Sequence, residues 1–199
     1  MAVSLSSAAF VKGVSRLSQL PVDEGLEVAF AGRSNAGKSS AINKLVGSRG
    51  LARTSKTPGR TREINFFTVG DDQHLVDLPG YGYAKVSKSM QARWGELLEG
   101  YLESRRALVG VVVIMDIRRP FTDLDCQLVS WCVAAGLPVH ALLTKSDKLS
   151  RSAGIRALKL AEKQASAMGG DISLQRFSAL DSTGLQDARK KVESWLEQR

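Results

Sequence analysis

With 199 residues, 43% of them hydrophobic, the chain has the size to bury a substantial core as one domain rather than two. Its 28 Lys+Arg against 20 Asp+Glu leave a formal net charge of +8, which favours a polyanionic partner (RNA, DNA or an acidic membrane surface) and is equally met by a solvated face serving only solubility. No apolar run approaches the roughly 18 residues of a membrane span.

Cys126 and Cys132 stand six apart on one predicted helix. That separation is about 600° of rotation and points them to different faces. They therefore form neither a disulfide nor a metal pair, and reduced, buried cysteines suit a cytoplasmic protein.

The chain opens with "MAVSLSSAAFVKGVSRLSQLP", acid-free and Ser-rich, faintly like a transit peptide. Lys12 interrupts its apolar run, which is too short for a secretory core. Strands are predicted at 26–31, 63–69, 73–77, 108–115, 138–143 and 172–177, and helices at 38–46, 89–104, 122–135, 150–168 and 181–197. In the second helix Met90, Trp94, Leu97, Leu98, Tyr101 and Leu102 recur at spacings of three and four, one apolar face for packing on a sheet. The run "LVGVVVIM" is almost uninterrupted apolar, as a central parallel strand covered on both faces requires. Such alternation implies an α/β fold with a largely parallel sheet and helices on both sides. Trp94, Trp131 and Trp195 fall at apolar-face spacing, which assigns them to core packing rather than base stacking.

The first strand runs into "GRSNAGKSS", the pattern G-x-x-x-x-G-K-[ST] in its strand-to-helix context. Gly32, Arg33, Ser34, Asn35, Ala36, Gly37, Lys38 and Ser39 thus form a candidate phosphate cradle. Glycines let successive N–H groups turn toward phosphate oxygens, and the following helix adds its N-terminal dipole. Lys38 reaches the β- and γ-phosphates, and the Ser39 hydroxyl coordinates Mg²⁺.

Farther on, "HLVDLPGYGYAKV" ends a strand in Asp77 and turns at Pro79 and Gly80. An acid at this place holds Mg²⁺ through water, and the Gly80 N–H can meet a γ-phosphate, so Asp77, Leu78, Pro79 and Gly80 read as a nucleotide-state switch. Tyr81 stands where Ras-like enzymes place a water-orienting glutamine. With Tyr83 it reads as part of a mobile switch rather than as a catalytic group.

"LLTKSDKL" supplies Thr144, Lys145, Ser146 and Asp147, matching the N/T-K-x-D box. The Asp147 carboxylate accepts from the ring N–H and exocyclic amine of guanine, whereas adenine would leave it unsatisfied. Thr144 replaces the commoner Asn, which is expected to weaken base contact modestly. "RFSALDSTG" adds Phe177, Ser178 and Ala179, an S-A box whose backbone N–H contacts the guanine carbonyl.

The threonine that closes over Mg²⁺ and γ-phosphate must come from "TSKTPGRTREINFF", which offers Thr54, Thr57 and Thr61. Thr61, next to the 63–69 strand, is chosen, flanked by Gly59, Arg60, Arg62 and Glu63. This loop is strongly basic, and residues 1–70 carry 10 Lys/Arg against 4 Asp/Glu, +6 of the net +8, so docking on RNA is expected here. His74 and His140 have no ligand-spaced partners and read as structural.

Together "GRSNAGKSS", "SKTPGRTREINFF", "VDLPGYGYAKV", "TKSDKL" and "FSAL" resemble the EngB (YihA/YsxC) group of small bacterial GTPases, in the TrmE-Era-EngA-EngB-Septin class, over nearly the whole chain. The resemblance implies a Ras-like G domain with a six-stranded, mostly parallel sheet containing one antiparallel strand, spanning 26–199, with 1–25 an extension packed on it. It implies GTP and GDP as ligands, Mg²⁺ on Ser39 and Thr61, and catalytic roles for Lys38, Thr61 and Gly80. It also implies a role in large ribosomal subunit assembly, contacting ribosomal RNA, and a need in normal cell division and septation. Asn35 matches the asparagine with which related GTPases bind K⁺ near the phosphates, or is a polar filler of a tight loop.

The expectation is therefore a slow, monomeric GTPase acting as a switch on the large ribosomal subunit or its precursor, with no DNA partner. A GTP-binding division protein acting through a protein partner is the second reading. A P-loop ATPase or kinase is the third, disfavoured by Asp147.

Overall fold

The computed structural model describes residues 3–52, 63–82 and 88–198, with the side chains of 88–94 left out. In chain order they form β1 (Ala9–Val14), β2 (Leu26–Gly32), α1 (Lys38–Val46), β3 (Ile64–Thr68), β4 (Gln73–Asp77), α2 (Lys88–Ser104), β5 (Leu108–Asp116), α3 (Asp123–Ala134), β6 (Val139–Thr144), α4 (Arg151–Met168), β7 (Ile172–Arg176) and α5 (Leu185–Leu196). One sheet takes the order β1-β3-β4-β2-β5-β6-β7. Strands β4, β2, β5, β6 and β7 are mutually parallel, and β3 runs antiparallel to both of its neighbours.

The period of two along each strand builds two cores, one on each face. Ala29, Ala31, Val111, Val113 and Met115 pack with Leu98, Tyr101 and Leu102 of α2, Leu128 and Val129 of α3, and Ala161 and Ala165 of α4. Val28, Phe30, Val112 and Ile114 pack with Ile42 and Leu45 of α1 and Val192, Trp195 and Leu196 of α5. Trp195 lies on Gly110 of β5, where a Cβ would meet the indole ring at 2.5 Å. Trp131 is a partly buried neighbour of the first core, and Trp94 lies outside the described side chains.

The sheet has seven strands where six were expected. The extra one, β1, comes from the segment before residue 26 and pairs with β3, from Ala9 opposite Thr68 to Val14 opposite Ile64. Phe10 meets Phe67 edge to face at 5.9 Å, but β1 is an edge strand, and its mostly exposed side chains carry no clear alternation. Helix α5 begins at Leu185, later than the expected 181. The intervening residues form a turn in which the Leu180 and Asp181 amides donate to Ser178 Oγ and Gly184 takes φ +71°.

The N-terminal segment is also tied to α2 and β2 by a buried ionic cluster. Arg105, after α2, donates to both carboxylate oxygens of Glu27 and to the Pro21 and Val22 carbonyls, and Tyr101 donates to Glu27 Oε2 at 2.8 Å. Burial first and the Glu27 charge second push the Tyr101 hydroxyl well above its ordinary pKa. His140 is buried between Ser173 (2.8 Å) and Gln175 (2.9 Å), a structural histidine as expected. Cys132 is buried, and burial pushes its thiol up to about 12. No described helix is long and apolar enough to cross a membrane.

Candidate functional site

Parallel β2, β4, β5 and β6 deliver their C-terminal ends to one edge of the sheet, the edge at which open α/β sheets bind ligands. The loop after β2 is a tight wrap. Asn35 and Gly37 take φ +65° and +102°, the Ala36 amide donates to the Arg33 carbonyl at 3.0 Å, and α1 opens at Lys38. Asparagine tolerates the left-handed region better than most residues, and Gly37 has no Cβ to oppose it.

This loop is bonded to the turn after β4. The Leu78 amide donates to the Phe30 carbonyl at 2.9 Å, the Tyr81 amide to the Gly32 carbonyl at 3.3 Å, and the Ser34 amide to the Tyr81 carbonyl at 2.8 Å. Lys38 Nζ forms an ion pair with Asp77 Oδ1, both side chains largely buried. A cation able to reach a phosphate and a carboxylate able to serve a metal thus stand side by side. Gly80 faces Ser34, whose Oγ would lie 3.3 Å from a Cβ placed there.

The residues that the sequence assigns to the base converge on the same edge. Asp147 Oδ1 accepts a 2.8 Å hydrogen bond from Ser178 Oγ, and this bond above all holds the carboxyl below its usual pKa. Ser178 is itself fixed by its amide on the Thr183 carbonyl and by the amides of Leu180 and Asp181 on its hydroxyl. Lys145, at φ +59°, lays its ammonium 2.7 Å from the Asn35 carbonyl and 3.0 Å from Asp116 Oδ2. Thr144 Oγ1 lies 2.5 Å from the Ala36 carbonyl, so the residue in the Asn position ties this box to the phosphate loop.

Several expectations are redrawn. Tyr81 turns its ring inward: it is 2% exposed, and its hydroxyl donates to buried Asp125 of α3 at 2.7 Å. Leu78 and Phe177 turn their side chains into the two cores, which leaves only their backbones for a ligand. Glu63 is exposed, with its carboxylate against Gly13 of β1. Gly59, Arg60, Thr61 and Arg62 lie outside the described residues, as do Thr54, Thr57 and Tyr83.

Sequence reasoning missed Asp116 and Arg118. Asp116, at the end of β5, takes a two-pronged bond from Arg118 (2.9 and 2.6 Å) besides the Lys145 contact, and Arg118 first of all drives its pKa far down. The signal was present in "MDIRRP", an acid at a strand end like Asp77. With Arg33, Ser34 and Arg119 these residues line a cavity of about 550 Å³ beside the phosphate loop.

Two buried hydroxyls without a hydrogen-bond partner among the described residues, Ser34 Oγ and Ser146 Oγ, belong to the phosphate loop and the base box. Buried polar atoms are rarely left so, and His74 Nδ1 on β4 is a third among the described residues.

Comparison with known proteins agrees with this arrangement. Residues 27–145 match the family model described as "50S ribosome-binding GTPase". A "Probable GTP-binding protein EngB" of Stenotrophomonas maltophilia (strain K279a) is 52% identical over 197 residues, covering 98% of each chain. Its counterpart in Coxiella burnetii (strain RSA 331 / Henzerling II) is 50% identical over 195 residues, 98% of this chain and 95% of that one. A crystal structure of a probable GTP-binding protein engB superposes with a TM-score of 0.69 at 23% identity, over 87% of this chain and all of that one. At that identity the superposition speaks for the fold, an α/β P-loop GTPase fold. The phosphate loop, the turn bonded to it, the base box and kinship along almost the whole sequence place the chain in the EngB family of GTP-binding proteins.

Proposed function

We propose that the protein binds GTP and GDP with Mg²⁺ and is a slow GTPase. It serves as a nucleotide switch in assembly of the large ribosomal subunit, and is necessary for normal cell division and septation. The observation that carries the nucleotide reading is the Ser178–Asp147 bond: it holds an ionised carboxylate, aimed by a fixed loop, on the edge that also carries the phosphate loop. Such a carboxylate pairs with the two adjacent donors of guanine and penalises adenine.

In this reading Gly32, Arg33, Ser34, Asn35, Ala36, Gly37, Lys38 and Ser39 hold the phosphates, with the unpartnered Ser34 hydroxyl filled by a phosphate oxygen. The Ser39 hydroxyl and Asp77 carboxylate are hard oxygen donors of the kind Mg²⁺ takes alongside substrate phosphates. The ion's contribution is to neutralise charge on the β- and γ-phosphate oxygens. Thr61, outside the described residues, would offer its hydroxyl to the ion, and the Gly80 amide would meet the γ-phosphate. Because Tyr81 is bonded to Asp125, it offers no group to orient water, which favours slow intrinsic turnover. K⁺ held at Asn35, or the ribosomal partner, supplies the missing activation; equal turnover in Na⁺ and K⁺ would remove the cation from this scheme.

The partner is ribosomal RNA rather than DNA, a choice that the family description favours and with which the net charge of +8, suited to any polyanion, is compatible; the protein meets it as a monomer in the cytoplasm. Co-sedimentation with large ribosomal subunits or their precursors tests this. Binding that needs a GTP analogue, weakens with salt and is lost in Lys38→Ala is the expected result. No binding in either nucleotide state refutes it.

A further inference from the structure

Tyr81 occupies the position directly after Gly80, yet every polar group it owns is committed. Its amide donates to the Gly32 carbonyl, its carbonyl accepts from the Ser34 amide, and its hydroxyl donates to Asp125 Oδ1 at 2.7 Å. Asp125 is 1% exposed and uses its other oxygen, Oδ2, on the Thr122 amide (3.0 Å) and hydroxyl (2.7 Å), the capping box that opens α3. One buried carboxylate therefore joins the residue beside the γ-phosphate sensor to the first turn of a helix 44 positions later.

We infer that Tyr81 is a positioning residue for the γ-phosphate: its tether to Asp125 holds the Gly80 peptide against the phosphate loop and makes the N-terminal turn of α3 a nucleotide-sensitive element. The inference rests on the nucleotide-switch reading above. Gly80 has little freedom of its own, since the peptide before Leu78 is bonded to Phe30 and the residue after it is held at three points. A displacement of Gly80 that keeps the 2.7 Å bond must move Asp125, and with it the cap of α3. Arg118 and Arg119, between β5 and that cap, line the cavity beside Arg33 and Ser34, with their amides bonded to Asp116 at the end of β5. The bond is buried at both ends, so water does not replace it cheaply.

Binding of a non-hydrolysable GTP analogue and of GDP, followed by fluorescence titration of wild type, Tyr81→Phe and Thr122→Val, tests the tether. Tyr81→Phe is expected to weaken the GTP analogue about 10-fold and GDP less than about 2-fold, the loss of one charge-assisted bond read by one nucleotide. Thr122→Val, which weakens the cap but leaves the Tyr81 bond, is expected to lower the melting temperature without changing the ratio of the two affinities. In the wild type, amide exchange at Asp125 and Cys126 is expected to be slower with the GTP analogue than with GDP. Equal weakening of both nucleotides in Tyr81→Phe, an equal ratio change in Thr122→Val, or identical exchange in the two wild-type complexes overturns the inference alone. A wild-type protein that binds neither nucleotide overturns the switch reading and this inference with it.

Discussion

Thr144 Oγ1 stands 2.5 Å from the carbonyl of Ala36 and 3.0 Å from that of Met115, so one buried hydroxyl bridges the phosphate loop and the ends of two central strands. The hydroxyl has a single proton to share between these acceptors. Thr144→Val keeps the shape and removes the oxygen, leaving both buried carbonyls short of a donor. A loss of about 1–3 kcal/mol in urea unfolding is expected, together with weaker guanine-nucleotide binding in the same titration.

Asp147→Asn replaces an acceptor-only carboxylate by a group that must donate on one side. Guanine then loses charge-assisted bonds worth about 3 kcal/mol, or roughly 100-fold in GDP affinity. Xanthosine diphosphate, which offers an oxygen where guanine offers an amine, is expected to gain. Titration with both diphosphates reads the exchange.

The Arg105–Glu27 pair is almost completely buried, and breaking such a pair from one side leaves an uncompensated charge. Arg105→Met alone is expected to cost about 3–5 kcal/mol. Arg105→Met combined with Glu27→Leu is expected to recover much of it, because no charge is then stranded. Denaturant midpoints of the single and double variants separate these outcomes.

His140 titrates below its ordinary value, chiefly because burial disfavours the imidazolium, with nearby Lys191 adding to the effect. The unfolded chain therefore takes up a proton before the folded one does. Stability from this group is complete above the ordinary histidine pKa of about 6.5 and falls with decreasing pH, by up to about 1.4 kcal/mol per pH unit, until the folded pKa is passed. Melting temperatures between pH 7.5 and 5.5 should fall more steeply in the wild type than in His140→Gln.

Gly110 lies under Trp195, and an added methyl would meet a rigid ring at 2.5 Å. Gly110→Ala is expected to destabilise the fold by about 1–3 kcal/mol, with nucleotide affinity little changed at temperatures where the protein stays folded. Thermal melts and GDP titration together check both halves.

Much of the site was legible because its chemistry is local. A phosphate site of the kind proposed for residues 32–39 is built mainly from consecutive backbone amides, so their spacing alone carried the meaning, while Asp77 was read as an acid at a strand end and Asp147 from the spacing of its box. The central strand β5 was equally plain, since a strand covered on both faces needs an unbroken apolar run. Strand β1 was not: at the sheet edge its side chains are mostly exposed, and nothing in its pattern distinguishes pairing with β3 from loose coil.

What the sequence by itself determined was therefore the class of fold and the identity of the loops that gather at its edge, because periodicity and contiguous motifs act over a few residues. Where each side chain goes was decided only by tertiary structure. Tyr81 follows the DLPG turn like a catalytic substituent, but the bridge of its backbone to Arg33 and the place of α3 turn its ring inward to Asp125. Lys145 finds Asp116, and Arg105 finds Glu27, across separations that no spacing rule spans. Such pairs form because a buried polar group must find a partner, and only the packed sheet and helices decide which one lies within reach.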